Sequence, residues 1–188
     1  MKFRLFYKGP LRANGRASEK QLLRRAFLPQ LRSLWYQKPL ADFFNTVSPN
    51  PLKSALVKSV GPFECLPLVQ QAIELVAAID IILLRPEQPG NIITQGGDID
   101  NRLKTLLDSL QMPKPDQIPR GDEPRDDENP FYCLLEDDHL IVGLSVVTDR
   151  LLLPETDQHE VILLMQVTLE FTHQHFTNII ARPYLGKF

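Results

Sequence analysis

The chain has 188 residues, is 43% hydrophobic and 23% charged, and carries a formal net charge of −2. These values suit a single domain with a real core and exclude wholesale disorder, a collagen-like fibre and a disulfide scaffold. The small net charge hides an asymmetry: residues 1–60 hold twelve Lys/Arg against two acids, a net +10, which leaves −12 for the remainder.

In chain order, residues 2–8 mix aromatic and basic side chains and read as a first strand, ended by Gly9-Pro10, with a turn at Asn14-Gly15. Ser18 and Gln21 have capping-box spacing, so a helix is expected from about residue 19. It carries Leu22, Leu23, Ala26 and Phe27, and Pro29 is expected to break or kink it before a second stretch to about Tyr36. Residues 38–62, rich in Pro, Ser and Asn, read as irregular connection. The β-branched run at 73–85 reads as a central strand closed by Pro86 and the 88–90 cluster. Leu103, Leu106, Leu107 and Leu110 follow helical spacing over 100–110. Residues 111–130 hold five prolines and several acids and read as a loop with scope to move. Strands are expected at 131–135, 140–149 and 160–171. The order β-α-β-α-β-β implies an α+β fold, a mixed sheet with helices largely on one face.

Two cysteines, Cys65 and Cys133, are too few for a framework and read as free thiols of a reducing compartment. No apolar run reaches the ~18 residues of a membrane span. The first residues place charge where a signal core needs none. A soluble, cytoplasmic protein without membrane partners is expected.

The chemistry is concentrated in Gly96-Gly97-Asp98-Ile99-Asp100-Asn101-Arg102-Leu103-Lys104-Thr105-Leu106-Leu107-Asp108, with Asp137-Asp138 as a distant complement. On a helical wheel at roughly 100° per residue, Asp100, Lys104 and Asp108 flank the leucine stripe at the margin of a core. Carboxylates crowded there repel one another, and a lysine or a hard divalent cation relieves the repulsion. Asp98 and Asp100 lie two apart in a glycine-flanked turn, so both can reach one ion. All-oxygen ligation favours Mg²⁺ or Mn²⁺ over zinc. An EF-hand loop starting at Asp98 fails at Arg102, Leu103 and Ser109. His173 and His175 have no cysteine partner nearby for a zinc site, and His139 reads as a surface histidine.

The run Asp98-x-Asp100-Asn101-x-x-Lys104-x-x-x-Asp108-x-Leu110, followed by Asp137-Asp138 before an apolar strand, resembles the RusA-type Holliday junction resolvases. The resemblance implies one RusA-like nuclease domain over 1–188, a small α+β homodimer that uses Mg²⁺ or Mn²⁺ to make paired phosphodiester incisions in four-way DNA junctions. It also implies Asp98, Asp100 and Asp138 as metal-binding carboxylates and Lys104 as the essential lysine. Asp108 and Asp137 would then orient the ligands, and Asn101 would brace the turn. This chain departs from the family pattern in Gly97 before the first aspartate and in the long acidic connection 111–130.

The basic N-terminal third fits a polyanion partner. Lys2, Arg4, Lys8, Arg12, Arg16, Arg24 and Arg25 are candidate phosphate contacts. Two alternatives stand beside this: a non-catalytic DNA-binding or interaction protein that keeps the fold, and internal neutralisation of the basic part by the acidic part.

Overall fold

The computed structural model describes residues 1–47, 55–86, 99–153 and 159–172. Among these are three α-helices, α1 (Ala17–Trp35), α2 (Leu40–Val47) and α3 (Ile99–Leu110). The strands are β1 (Lys2–Pro10), β2 (Lys58–Val60), β3 (Phe63–Val69), β4 (Leu75–Arg85), β5 (Phe131–Leu135), β6 (Ile141–Arg150) and β7 (Glu160–Phe171). The fold is α+β, but the expected single mixed sheet is two. One has the order β1-β7-β4-β6 and the other β2-β3-β5.

The split has a local cause. Strands β3 and β5 run parallel in the small sheet, and β4 and β6, which follow them, run parallel in the large one. Both chains bend at the same level, through 3₁₀ turns at Gln71–Ile73 and Asp138–Leu140. Glu74 leaves its turn in the left-handed region, at φ 53°, so β4 starts at Leu75 rather than at 73. The two bends are tied together. The Glu136 amide donates to the Val69 carbonyl at 2.8 Å, and the Gln71 amide donates to Glu136 Oε2 at 2.9 Å. The Asp137-Asp138 pair therefore sits at the corner between the sheets.

Period-two alternation builds the large sheet. Leu5 of β1, the odd-numbered residues from Leu75 to Leu83 in β4, and those from Val161 to Leu169 in β7 are buried. Each of these side chains other than Ala77 contributes about 1.5–3 kcal/mol on burial. The opposite face is open, with Phe6, Leu164, Ile82 and Val147 exposed along one cross-strand row.

Helix α1 packs on α3, β5 and β1. It runs unbroken through Pro29, which lies exposed. The one lost hydrogen bond is outweighed by Leu23, Phe27, Leu28, Leu31 and Trp35, which are buried along the helix. Its start also differs from expectation, because Glu19 Oε2 accepts the Arg16 amide at 2.8 Å. The Ser18/Gln21 spacing is thus not the cap. Residues 38–62 are likewise less irregular than expected, since they contain α2 and β2. Strand β3 was not expected at all. It includes Pro67, which lies beyond the reach of β2, since β2 pairs only as far as Cys65.

Tyr7 joins β1 to the core. Its ring lies 5.7 Å from that of Phe27, and its hydroxyl donates to the Pro10 carbonyl at 2.8 Å. Burial, aided by the negative charge of Glu160, pushes the phenol up to about 12. The unfolded chain ionises first, near its ordinary value of about 10. This contribution to stability is therefore complete below pH ~10 and is lost as pH rises through about 12. Phenolate absorbance titration of wild type and Tyr7→Phe should show one late-ionising tyrosine removed by the substitution. Equal titration curves near pH ~10 would contradict the assignment.

Candidate functional site

Helix α3 buries more than its leucines. Leu106 and Leu110 are in the core, Leu103 and Leu107 are half-buried, and Arg102, Thr105 and Ser109 are also buried. Thr105 and Ser109 are small enough to let α1 approach. Thr105 Oγ1 accepts the Gly15 amide at 2.8 Å and donates to the Asn101 carbonyl at 3.0 Å. A Cβ at Gly15 would stand 2.5 Å from Thr105 Cγ2, so only glycine lets the α1 entry turn sit this close. The Ser109 hydroxyl folds back to the carbonyls of Thr105 and Leu106.

From this contact onward α1 and α3 run in the same direction. Lys20 Nζ meets Asp108 Oδ2 at 2.6 Å, with both side chains largely shielded from solvent. One turn on, the Arg24 guanidinium donates to the carbonyls of Asp108 (2.7 Å) and Gln111 (3.1 Å), and to the Gln117 and Gln21 side chains at 2.8 and 3.3 Å. Arg24 is only 2% exposed. Its cation sits where the last turn of α3 leaves carbonyls unpaired, the position that the helix dipole favours for positive charge.

The exit of α3 is then stitched to the end of β5. Gln111 bridges to Leu135, and the Met112 amide donates to the Leu135 carbonyl at 2.8 Å. The chain carrying Asp108 and the corner carrying Asp137-Asp138 are thereby neighbours, although 29 residues separate Asp108 from Asp137 in sequence. Asp137 accepts from the His139 ring at 2.9 Å and from its amide at 3.2 Å, with Lys114 Nζ at 3.8 Å. The His139 hydrogen bond holds the Asp137 carboxyl down at about 2. Asp138 is driven upward, first by the hydrogen bond it shares with Asp137, then by burial and by the charges of Asp137 and Asp108, with Lys114 opposing.

The structure thus gathers Asp108, Asp137, Asp138, His139, Lys20 and Lys114 around the C-terminal end of α3. Asp100 stands in the first turn of α3, exposed and past the cap position, with its Oδ1 accepting the Asn101 amide at 3.0 Å. Eight residues of helix separate it from Asp108, about 12 Å along the axis at 1.5 Å per residue. Lys104 is exposed midway between them, and Asn101 is half-buried. Asp98, together with Gly96, Gly97, His173 and His175, lies outside the described residues. Among the described residues no three His, Cys, Asp or Glu side chains converge closely enough to hold a metal ion.

The candidate phosphate contacts divide into two groups. Lys2, Arg4, Lys8, Arg12 and Arg16 are exposed, though Lys8 pairs with Glu160 at 3.6 Å and Arg12 with Glu19 at 3.4 Å. Arg24 is interior. Arg25 is engaged by the acidic connection, with Nε to Glu128 Oε1 and Nη1 to Asp122 Oδ1 both at 2.8 Å. Arg32 holds Asp127 at 3.3 Å. Residues 111–130 are therefore docked along α1 rather than swung clear of it, and Glu128 is 4% exposed. Lys20 and Lys114 were not expected at the site. Nothing in local periodicity signals them, because their partners lie 88 and 23 residues away.

No protein-family profile matches the chain, and no curated protein matches it.

Arg24→Ala should destabilise the fold by about 3 kcal/mol, because it strands two helix-end carbonyls inside the protein. Arg16→Ala, at an exposed cation, should stay within about 0.5 kcal/mol. Denaturant melts of both variants check this, and equal midpoints would contradict the capping role.

Proposed function

We propose that the protein is a metal-dependent endodeoxyribonuclease of RusA type that resolves branched DNA by paired phosphodiester incisions, acting as a homodimer. The observation that carries this reading is the stitching of the α3 exit to the β5 end. It brings the Asp137-Asp138 corner beside the helix that carries Asp100, Lys104 and Asp108.

The donor chemistry fits a hard cation. Asp98, Asp100 and Asp138 would hold Mg²⁺ or Mn²⁺ through oxygen alone once the start of α3 and the corner close on one ion, since Asp100 and Asp138 stand toward opposite ends of α3 in this structure. The crowding of Asp138 with Asp137 and Asp108 is a like-charge arrangement that a cation relieves. When bound, the ion supplies an activated water and charge neutralisation at the scissile phosphate. The rest falls to the chain. Lys104, exposed on the same helix, would stabilise charge that develops on the phosphate or on the leaving oxygen. Asp108 is fixed by Lys20. Asp137 is fixed by His139 and Lys114 and orients its neighbour Asp138. Lys2, Arg4, Lys8, Arg12 and Arg16 supply sequence-independent affinity. A two-fold dimer supplies the second active site that symmetric incision needs.

The second reading, a non-catalytic DNA-binding or interaction protein that keeps the fold, is favoured in its interaction form by one observation. The acidic connection occupies Arg25 and Arg32, which leaves fewer cations for DNA. A junction-cleavage assay separates the two. With Mg²⁺ the wild type should nick a four-way junction at paired positions. Asp100→Asn and Lys104→Met should each lower the rate by at least ~10²-fold while leaving junction affinity within about threefold. Salt-sensitive binding with no divalent-dependent nicking of any branched DNA would select the non-catalytic reading.

A further inference from the structure

The outer edge of the large sheet is a strand with open hydrogen-bonding positions. In β1, the Leu169 amide donates to the Met1 carbonyl and the Leu11 amide to the His159 carbonyl, each at 2.8 Å, so the odd-numbered residues face β7. The even-numbered residues Lys2, Arg4, Phe6 and Lys8 then direct their amides and carbonyls outward. At Phe6 this edge is already read as a strand reads its neighbour. Gln30 Oε1 accepts the Phe6 amide at 2.9 Å, and Gln30 Nε2 donates to the Phe6 carbonyl at 2.7 Å. The side-chain amide of Gln30 thus stands in for one peptide unit. At Lys2 and Arg4, no hydrogen bond within the described residues occupies the corresponding outward groups.

Space is available on both sides of that stretch. A cavity of about 460 Å³ lies between β1 and the second half of α1, lined in part by Phe3, Arg4, Pro29, Ser33 and Leu34. A second, of about 490 Å³, lies on the other side and is lined by Lys2, Phe3, Arg4 and Gln166. The two share Phe3 and Arg4. Among the described residues, two cations and no acid line them.

We propose that this edge binds an extended acidic peptide by strand addition. The peptide backbone pairs with the amides and carbonyls of Lys2 and Arg4, and Gln30 marks the end of the open stretch. Because side chains alternate along an added strand, those on one side lie beside Lys2 and Arg4 over the open sheet face. Those on the other enter the groove against Phe3 and Leu34. Acidic residues suit the first row and small apolar residues the second. A second copy of this chain is a poor occupant of the same edge, since antiparallel β1–β1 pairing sets the Lys2 and Arg4 cations of both copies side by side. This inference stands on β1 and α1 and does not depend on the nuclease reading.

The test uses the full-length protein and a capped eight-residue peptide alternating aspartate and valine. Fluorescence anisotropy should show saturable binding, and amide exchange followed by NMR should slow ~tenfold or more at Lys2 and Arg4. A peptide N-methylated at alternate residues keeps its charges but cannot pair, so it should neither bind nor protect these amides. On the protein side, Arg4→Pro removes the outward amide at an edge position where proline is tolerated, and it should abolish protection. Lys2→Glu with Arg4→Glu should weaken binding at least tenfold. If Arg4→Pro does not fold, the N-methylated peptide on wild type still decides. The proposal is overturned by equal binding of the two peptides, by protection elsewhere, by no binding, or by sedimentation showing that self-association protects the same amides.

Discussion

The Arg24 guanidinium, buried between α1 and α3, is the interaction on which the candidate site most depends. It pairs with the carbonyls of Asp108 and Gln111 at the point where α3 ends and the chain turns toward β5. A helix end inside a protein needs donors for its last carbonyls, and Arg24 supplies two from a single cation. Its third contact, to Gln117, anchors the start of the acidic connection. With the exit of α3 fixed, the Gln111–Leu135 bridge can form, and the corner carrying Asp137-Asp138 is held beside the helix carrying Asp108. Lys20 then fixes the Asp108 side chain one turn away.

The uneven charge of the sequence is partly settled inside the molecule. Arg25 sits between Asp122 and Glu128, and Arg32 takes Asp127, so the acidic connection lies on α1 as a structural partner. The shielded Arg25 pairs carry a desolvation cost that good geometry must offset, and Arg25 has that geometry, with Nε and Nη1 each meeting a carboxylate at 2.8 Å. What remains for a polyanion is narrower than the composition implies. Lys2, Arg4, Lys8, Arg12 and Arg16 lie along β1 and the entry to α1, with Lys8 beside Glu160 and Arg12 beside Glu19, and Lys104 lies on α3. Among the described residues, the acidic surplus is likewise narrowed to the corner carboxylates, Asp100, and scattered exposed acids such as Asp116 and Asp126.

Strong local periodicity made part of this fold legible. The alternating runs of β4 and β7 and the leucine spacing of α3 each encode one face, and the structure uses those faces. Features set by distant partners were not legible. Pro29 reads as a breaker, yet the burial of Phe27, Leu31 and Trp35 carries the helix through it. Pro67 argues against a strand, yet β3 runs through it. Two 3₁₀ turns divide one expected sheet into two, and no residue pattern within either turn signals that both bend at one level. Lys20 resembles any solvated lysine until α1 is laid along α3. The carboxylates are singled out by their spacing, and the structure sets Asp100 and the Asp137-Asp138 corner toward opposite ends of α3, with Asp98 outside the described residues.

The account rests on carboxylates from two separate segments serving one cation. Site-specific paramagnetic broadening by trace Mn²⁺, read on the amides of the full-length protein, tests that most directly. A shared ion should broaden the start of α3 around Asp100 and the corner around Asp138 together, at the same metal concentration, and excess Mg²⁺ should reverse both. Broadening confined to one of these segments, or spread over exposed acids such as Asp126 with neither segment favoured, would contradict it.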